Sequence, residues 1–205
     1  PDPADATSSR RCRPDYQKCL GREDLKGLRV GIVREFEAYP VQPEIGDALG
    51  HVEGILREAG ATFLPVSLPT TIEAGLPCYY ILAPAEASSN LARYDGVRWG
   101  MSVEAEHLVD LYKKTRGEGF GAEVKRRILT GTYVLSSGYY DAYYLVAQKA
   151  RTQISREFAE AFRNVDMLLM PTTPTLPFRQ GENSDDPLQM YLSDVFTLPV
   201  NLASL

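Results

Sequence analysis

Apolar residues fall into short runs and one helical stripe early in the chain, a pattern that predicts strands around a helix. Arg29–Val33 is a short run rich in β-branched residues, which is typical of a buried strand. From Pro43 to Ala59 apolar residues recur at helical spacing, and Gly60 stands where such a helix would end. Thr62–Leu68 predicts a second strand. A strand, a helix and a strand in such close succession predict a βαβ unit with parallel strands.

The middle of the chain is predicted to be helical. Four segments carry the pattern: Ala74–Leu91, Glu104–Arg116, Glu123–Leu135 and Asp141–Phe162. In the first of them, Pro77 and Pro84 predict an early turn and a kink. Asp166–Met170 predicts another buried strand, and the proline-containing stretch from Pro171 to Pro187 predicts a long loop.

Composition and charge place the chain among ordinary globular proteins. An apolar fraction of 44% and a charged fraction of 24% allow one sizeable core. A net charge of −5 argues against broad capture of nucleic acid, and no apolar run is long enough to predict a membrane span. Residues 1–25 are polar and predict a linker or wrapped segment, followed by one partial domain over residues 26–205.

The cysteines and the two ends of the chain carry further expectations. Three cysteines without metal-ligand spacing indicate reduced thiols in a cytosol-like compartment: Cys12, Cys19 and Cys78. The sequence begins at Pro1 without a methionine and ends at Leu205 just after an apolar stretch. We therefore expect a piece of a longer polypeptide.

Histidine and serine patterns predict no catalytic or metal centre by themselves. His51 and His107 lie far apart and belong to no metal-ligand motif. Ser136-Ser137-Gly138 stands at the end of a helical segment, where a capping role is more common than a nucleophile. The glycine-rich stretch 117–121 lacks the strand and the lysine of a phosphate loop and predicts a turn between helices.

Several polar residues remain ambiguous on the residues alone. Tyrosines are dense at four places: Tyr79-Tyr80, Tyr133, Tyr139-Tyr140 and Tyr143-Tyr144. Such residues pack in cores and interfaces, or they line a pocket with their hydroxyls towards a polar ligand. Arg126, Arg127 and Asp194 have the same ambiguity between exposed surface, structural ion pair and binding site.

Ordered motifs carry a resemblance to a known family. Between Tyr79 and Gly100 a Tyr-Tyr pair precedes Glu-Ala-Ser-Ser-Asn-Leu and an Arg-Tyr-Asp-Gly turn. Further motifs follow in order at Glu118–Thr132, Leu135–Tyr144, Pro171–Pro174 and Pro199–Ala203, with Asp2–Ser8 upstream. Over nearly its whole length the chain resembles the A subunits of tRNA-dependent amidotransferases, a branch of the amidase-signature family. The resemblance implies an α/β class: a fragment of the amidase-signature fold, with a mixed sheet and many covering helices.

The resemblance also implies a chemistry and its partners. Such A subunits hydrolyse glutamine, and the ammonia amidates glutamyl-tRNA(Gln) or aspartyl-tRNA(Asn) in a partner subunit that uses ATP and Mg²⁺. The resemblance implies a heterotrimer with subunits B and C, and access to misacylated tRNA through that complex. It also implies no cofactor in this chain, and a location in a bacterial cytoplasm or an organellar matrix. The family's Ser-Ser-Lys triad precedes the segment that matches Asp2-Pro3, and Ser204-Leu205 departs from the family's Ala-Gly-Leu-Pro continuation. We therefore expect no catalytic residue in this chain and no activity of the chain alone.

The motif positions imply a set of glutamine-binding residues. Tyr79, Arg127 and Asp194 resemble those of the family. An arginine fork suits the α-carboxylate of glutamine, a carboxylate suits its α-ammonium group, and a tyrosine hydroxyl fixes orientation. Three rivals remain: Arg126 for Arg127, and Asp185 or Asp186 for Asp194.

Two other hypotheses belong to the same fold. One is a hydrolase of small or fatty amides, which has no need of a clamp for an α-carboxylate. The other is an interaction module that keeps the fold without the reaction. Ammonia release from glutamine separates an enzyme from such a module.

Overall fold

A parallel sheet organises the part of the chain that the computed structural model describes: residues 1–11, 14–20, 24–37, 39–182 and 187–205, without the side chains of Cys19 and Pro187. Its strands are β1 (Arg29–Val33), β2 (Thr62–Val66) and β3 (Met167–Leu169), in the order β2-β1-β3. Both pairings are parallel, as the βαβ pattern predicted. The α/β class is confirmed, and the sheet expected to be mixed contains only parallel strands within the described residues.

The described residues also form eight α-helices. They are α1 (Arg34–Glu37), α2 (Pro43–Glu58), α3 (Pro69–Asn90), α4 (Leu108–Gly119), α5 (Ala122–Val134), α6 (Leu145–Asn164), α7 (Pro187–Leu192) and α8 (Leu198–Ala203). A π-helical turn at Tyr140–Tyr144 leads into α6, and short 3₁₀ turns occur at Tyr16–Cys19 and Leu91–Arg93. None of the helices in the described part of the chain combines the length and apolar character needed to cross a bilayer.

The predicted helices are confirmed, with shifted ends. Helix α3 begins at Pro69 rather than Ala74, because proline suits the first helical turn. Helix α4 begins at Leu108, since the preceding segment is held by a hydrogen bond from the Val103 amide to the Thr115 hydroxyl. The interior positions of Pro77 and Pro84 in α3 do not end that helix.

Helices α7 and α8 fall where no helix was predicted. Each comprises six residues, which is too short to show a helical stripe in the sequence. The stripe of α2 is present, yet none of its residues is buried, and Val52 and Ile55 are exposed. Burial of the α2 stripe is thus not seen among the described residues.

The main core lies between the sheet and helices α3 and α6. It joins Val33 and Val66 of the sheet to Ile154 and Phe158 of α6, with Phe196 from the segment before α8. Phe158 and Phe196 are almost completely buried. Because Phe196 is part of this core, the core fixes the loop that carries its neighbour Asp194.

The cysteine and domain predictions have different outcomes. Cys78 is a buried free thiol that donates to the Ala147 carbonyl at 3.2 Å, and burial raises its pKa to about 11. This fits a reduced, unreactive cysteine. Cys12 and the side chain of Cys19 lie outside the described residues.

The boundary between residues 1–25 and the domain over residues 26–205 stays a prediction.

Candidate functional site

A cleft of about 530 Å³ opens where α3, α5 and α7 meet. Its polar lining is Tyr80 from α3, Glu123, Arg126 and Arg127 from α5, Tyr191 from α7, and Asp194 just before α8. Apolar side chains of Phe178 and Met190 complete part of the wall. The fold thus brings together two of the residues expected to bind a ligand, Arg127 and Asp194, from distant parts of the chain.

One carboxylate ties the two arginines of the cleft together. Glu123 stands in the first turn of α5, one helical turn before both arginines. Arg126 Nη1 donates to Glu123 Oε2 at 2.6 Å, and Arg127 Nε donates to Glu123 Oε1 at 3.0 Å. The hydrogen bond to Glu123 is the first cause of the raised pKa of Arg127. Both guanidinium groups are therefore cationic and held on one side of the cleft.

Two tyrosine rings, one from α3 and one from α7, pack against each other at a tilt of 34°. The ring centroids of Tyr80 and Tyr191 lie 4.0 Å apart. The Tyr191 hydroxyl donates to Glu123 Oε1 at 3.4 Å, and its hydrogen bond to Arg126 is the first cause of that arginine's raised pKa. Tyr191 thus links α7 to the charged cluster of α5.

The ionisation of Tyr80 is suppressed in the cleft. Its pKa is raised to about 12, first by burial and then by the negative charge of Asp194, while Arg127 acts in the opposite direction. These opposing effects indicate that both charges lie near the Tyr80 hydroxyl. Tyr80 is consequently a neutral hydroxyl at neutral pH, able to donate or accept a hydrogen bond.

Tyr79 lies behind the lining. Its ring meets that of Tyr80 edge-on at 5.2 Å, and a hydrogen bond between Tyr79 and Arg127 adds to the raised pKa of the arginine. Of the Tyr79-Tyr80 pair, it is Tyr80 that lines the cleft. Tyr79 therefore contacts the predicted binding residue Arg127 without forming part of the wall.

Asp194 is exposed, and its main chain is firmly placed. Its carbonyl oxygen accepts from the amides of Thr197 and Leu198, both at 3.0 Å, where α8 begins. Its side chain lines the cleft. Because Val195 and Phe196 are buried, this anchoring holds the Asp194 carboxylate at the rim.

The rivalries between candidate binding residues stay open. Arg126 and Arg127 both line the cleft, with Arg127 half-buried and Arg126 exposed. Arg127 forms an ion pair with Glu123, one turn earlier on the same helix. Asp185 and Asp186 lie outside the described residues.

Sequence reasoning did not point to Glu123, Tyr191 or Tyr80, and its choice of Tyr79 as a binding residue stays a prediction. For Glu123 a signal existed, because an acidic residue three and four positions before two arginines on a helix predicts ion pairs. Tyr191 gave no such signal, since α7 itself was not predicted. It is tertiary contact that joins it to residues of α3 and α5.

The arrangement suits a ligand that carries both charges. The lining combines arginine donors for an anionic group, the Asp194 carboxylate for a cationic group, and the neutral hydroxyl of Tyr80. Among the described residues no group of three metal-ligating side chains occurs, and His51 and His107 lie outside the lining of this cleft. The Ser136 hydroxyl donates to the Tyr133 carbonyl at 2.7 Å, as expected of a residue that caps a turn.

Comparison with known proteins extends over the entire chain. The amidase family profile matches residues 1–205. The A subunit of the glutamyl-tRNA(Gln) amidotransferase of Parvibaculum lavamentivorans is 57% identical over 204 residues, which cover 100% of this chain and 41% of that relative. The corresponding protein of Thermosynechococcus vestitus, which has the same name, is 56% identical over 205 residues, covering 100% and 42%. The chain therefore spans less than half the length of these relatives.

Solved structures agree with the family match. The crystal structure of the glutamyl-tRNA(Gln) amidotransferase A subunit of Thermotoga maritima superposes with a TM-score of 0.67 at 33% identity, covering 100% of this chain and 39% of that one. A bacterial aryl acylamidase of the amidase-signature family shares the fold, with a TM-score of 0.67 at 20% identity over 94% of this chain and 38% of its own. On the family match over its whole length, the chain belongs to the amidase family.

Proposed function

We propose that the cleft binds the amino-acid head of glutamine, within a glutamine-hydrolysing A subunit of a tRNA-dependent amidotransferase. The observation that carries this proposal is the cleft shared by Arg127, Asp194 and Tyr80. Two relatives that are 57% and 56% identical to this chain are named as A subunits of the glutamyl-tRNA(Gln) amidotransferase, which supports the proposal.

Glutamine is a zwitterion, and each of its head groups has a partner of opposite charge in the cleft. The guanidinium of Arg127 binds the α-carboxylate, because a fork of N–H donors matches two carboxylate oxygens. Asp194 binds the α-ammonium group. Tyr80 orients the ligand through its neutral hydroxyl, and Tyr79 supports Arg127 from behind. An amide without the amino-acid head has no group to bind Asp194 or the terminal nitrogens of Arg127, so it binds poorly.

The wider reaction places this chain in a complex. The ammonia released from glutamine passes to a partner subunit, where ATP and Mg²⁺ activate misacylated glutamyl-tRNA(Gln) or aspartyl-tRNA(Asn). Subunits B and C complete a heterotrimer in a bacterial cytoplasm or an organellar matrix. The motif that carries the family's Ser-Ser-Lys triad does not occur in these 205 residues. We therefore expect the chain alone to be inactive.

Ligand binding tests the recognition part of this proposal. NMR titration of the 205-residue chain with glutamine should give saturable shifts, whereas butyramide, which lacks the amino-acid head, should give none. Arg127→Ala and Asp194→Ala should each weaken glutamine binding at least about tenfold, the usual cost of a lost charged hydrogen bond. Arg57→Ala is the matched control, because Arg57 forms an i,i+4 pair on α2 away from the cleft. Equal affinities of all four proteins would refute the site.

A chimera tests the reaction. Residues 1–205 replace the matched segment of the Parvibaculum lavamentivorans relative, and ammonia release from glutamine is measured with the remaining subunits present. The chimera should hydrolyse glutamine, and Arg127→Ala should lower kcat/KM in it. The 205-residue chain alone should release no ammonia, and detectable turnover would contradict its expected inactivity.

A further inference from the structure

We propose that Glu123 is a positioning and specificity residue of the cleft, which orients Arg127 and balances charge so that a zwitterion is preferred over a dianion. The proposal rests on the proposed function, because it concerns the ligand of the same cleft. Neither the sequence motifs nor the similarity to known proteins assigns a role to Glu123.

Glu123 first acts through geometry. Its carboxylate accepts from Arg127 Nε at 3.0 Å and from Arg126 Nη1 at 2.6 Å, and the Tyr191 hydroxyl approaches it at 3.4 Å. A guanidinium bound at Nε is fixed in rotation, and its terminal nitrogens are the fork that a ligand carboxylate requires. Glu123 therefore presents Arg127 to the ligand in one orientation.

Glu123 also acts through charge. Among the described residues of the lining, Arg126 and Arg127 carry two positive charges and Glu123 and Asp194 carry two negative charges, so these four charges cancel. Glutamine is neutral overall as well, whereas glutamate carries one net negative charge and glutarate carries two. Without Glu123 the lining gains a net positive charge and attracts such anions more strongly. Glu123 thus lowers the affinity for the glutamate product relative to glutamine.

A purely structural role for this carboxylate would be small. The side chains of Glu123, Arg126 and Arg127 are 45%, 51% and 37% exposed. Ion pairs this exposed contribute less than about 1 kcal/mol to stability. Glu53 and Arg57 on α2 form a pair of the same spacing at 2.6 Å, without a second arginine and outside this cleft. Glu53→Gln is therefore a matched control for Glu123→Gln.

The experiment compares two ligands on the 205-residue chain. Dissociation constants for glutamine and glutarate are measured by NMR titration for wild type, Glu123→Gln, Glu123→Asp and Glu53→Gln. In Glu123→Gln we expect glutamine binding to weaken and glutarate binding to tighten, each about threefold, so that their ratio moves about tenfold towards glutarate. Glu123→Asp keeps the charge but not the reach, so both ligands should weaken while the ratio stays. Glu53→Gln should change neither.

The outcomes separate this inference from the proposed function. If wild type does not bind glutamine, both are overturned. If wild type binds glutamine and Glu123→Gln leaves the ratio of the two constants unchanged, Glu123 does not balance charge and this inference alone is overturned. Equal weakening of both ligands in Glu123→Gln has the same meaning, because it is what a loosened helix would cause.

Discussion

Gly131 of α5 lies directly against the backbone of Pro84 in α3. A Cβ atom built at position 131 would overlap the Pro84 carbonyl group, and it would also lie 2.8 Å from Cβ of Ser88. Tyr80 precedes Pro84 by one helical turn, and Arg127 precedes Gly131 by one turn. The close approach of the two helices therefore sets how near the Tyr80 hydroxyl and the Arg127 guanidinium come to each other.

Replacing Gly131 should separate these helices. Gly131→Ala forces the new methyl group against backbone atoms, which cannot move aside as a flexible side chain can. We expect a loss of about 2–3 kcal/mol in the free energy of unfolding, measured by urea denaturation. Gly54→Ala on α2 is the matched control, because nothing lies within 4 Å of its Cβ position. There the same change should stabilise by about 0.5–1 kcal/mol, and a loss at position 54 similar to that at 131 would contradict the packing argument.

The sequence allowed prediction of those parts that local patterning determines. Arg29–Val33 becomes a strand because its β-branched residues suit a pleated, buried surface, and Gly60, with a φ of 98°, ends the segment after α2 as its position indicated. These features need only a few neighbouring residues. Helix α7 escaped prediction, since six residues with proline at the first position show no periodic stripe.

The candidate site could be predicted only in part, because contacts between distant residues complete it. The motifs pointed to Arg127 and Asp194, and both line the cleft. They pointed to Tyr79, whereas the cleft is lined by Tyr80. Neighbouring residues on a helix point in directions about 100° apart, and only tertiary packing decides which of them faces a given cleft. Tyr191 meets Glu123 across 68 positions of sequence, a contact without any local signature.

Glu157 of α6 stabilises the start of α3 from a distant part of the chain. Leu68 at the N-cap provides no side-chain hydrogen bond, and Glu157 accepts from the amides of Thr70 and Thr71 at 3.0 Å instead. A carboxylate at this position satisfies unpaired amides and interacts favourably with the helix dipole. Glu157→Gln should lower the free energy of unfolding by about 1–2 kcal/mol in urea denaturation.

A control for Glu157 lies one turn further along α6. Glu160 pairs with Arg163 at the surface, at 2.6 Å, and both side chains are mostly exposed. Glu160→Gln should therefore change the free energy of unfolding by less than about 0.5 kcal/mol. If both variants lose the same amount, the contact of Glu157 with α3 is not what stabilises the helix start.

The pKa of Tyr80 should respond in opposite directions to its two charged neighbours. Burial is the first cause of its raised pKa of about 12, the charge of Asp194 adds to it, and Arg127 opposes it. At a pH of about 11, Asp194→Asn should therefore increase the ionised fraction of Tyr80, and Arg127→Ala should decrease it. The ¹³Cζ shift of labelled tyrosine reports this fraction, with the Tyr80→Phe spectrum identifying the signal. Shifts of the same sign in both variants would show that the two charges do not flank this hydroxyl.

Arg29 and Asp166 join the starts of two neighbouring strands, and their pairing should make stability depend on acid pH. Asp166 accepts from Arg29 Nη2 at 2.7 Å, from Nε at 3.1 Å and from the Arg29 amide at 2.9 Å, and these contacts lower its pKa to about 2. The folded pKa is below the ordinary value of 3.8, so the contribution is present above about pH 4 and is lost as pH falls through about 2. In Asp166→Asn the free energy of unfolding should accordingly fall less steeply over that range, as followed by urea denaturation at a series of pH values.

The Arg29→Ala background provides the control, because Asp166→Asn should hardly alter the pH dependence of the free energy of unfolding once the guanidinium is absent. If Asp166→Asn reduces the pH dependence of the free energy of unfolding equally in both backgrounds, the effect comes from the Arg29 amide rather than from the ion pair between β1 and β3.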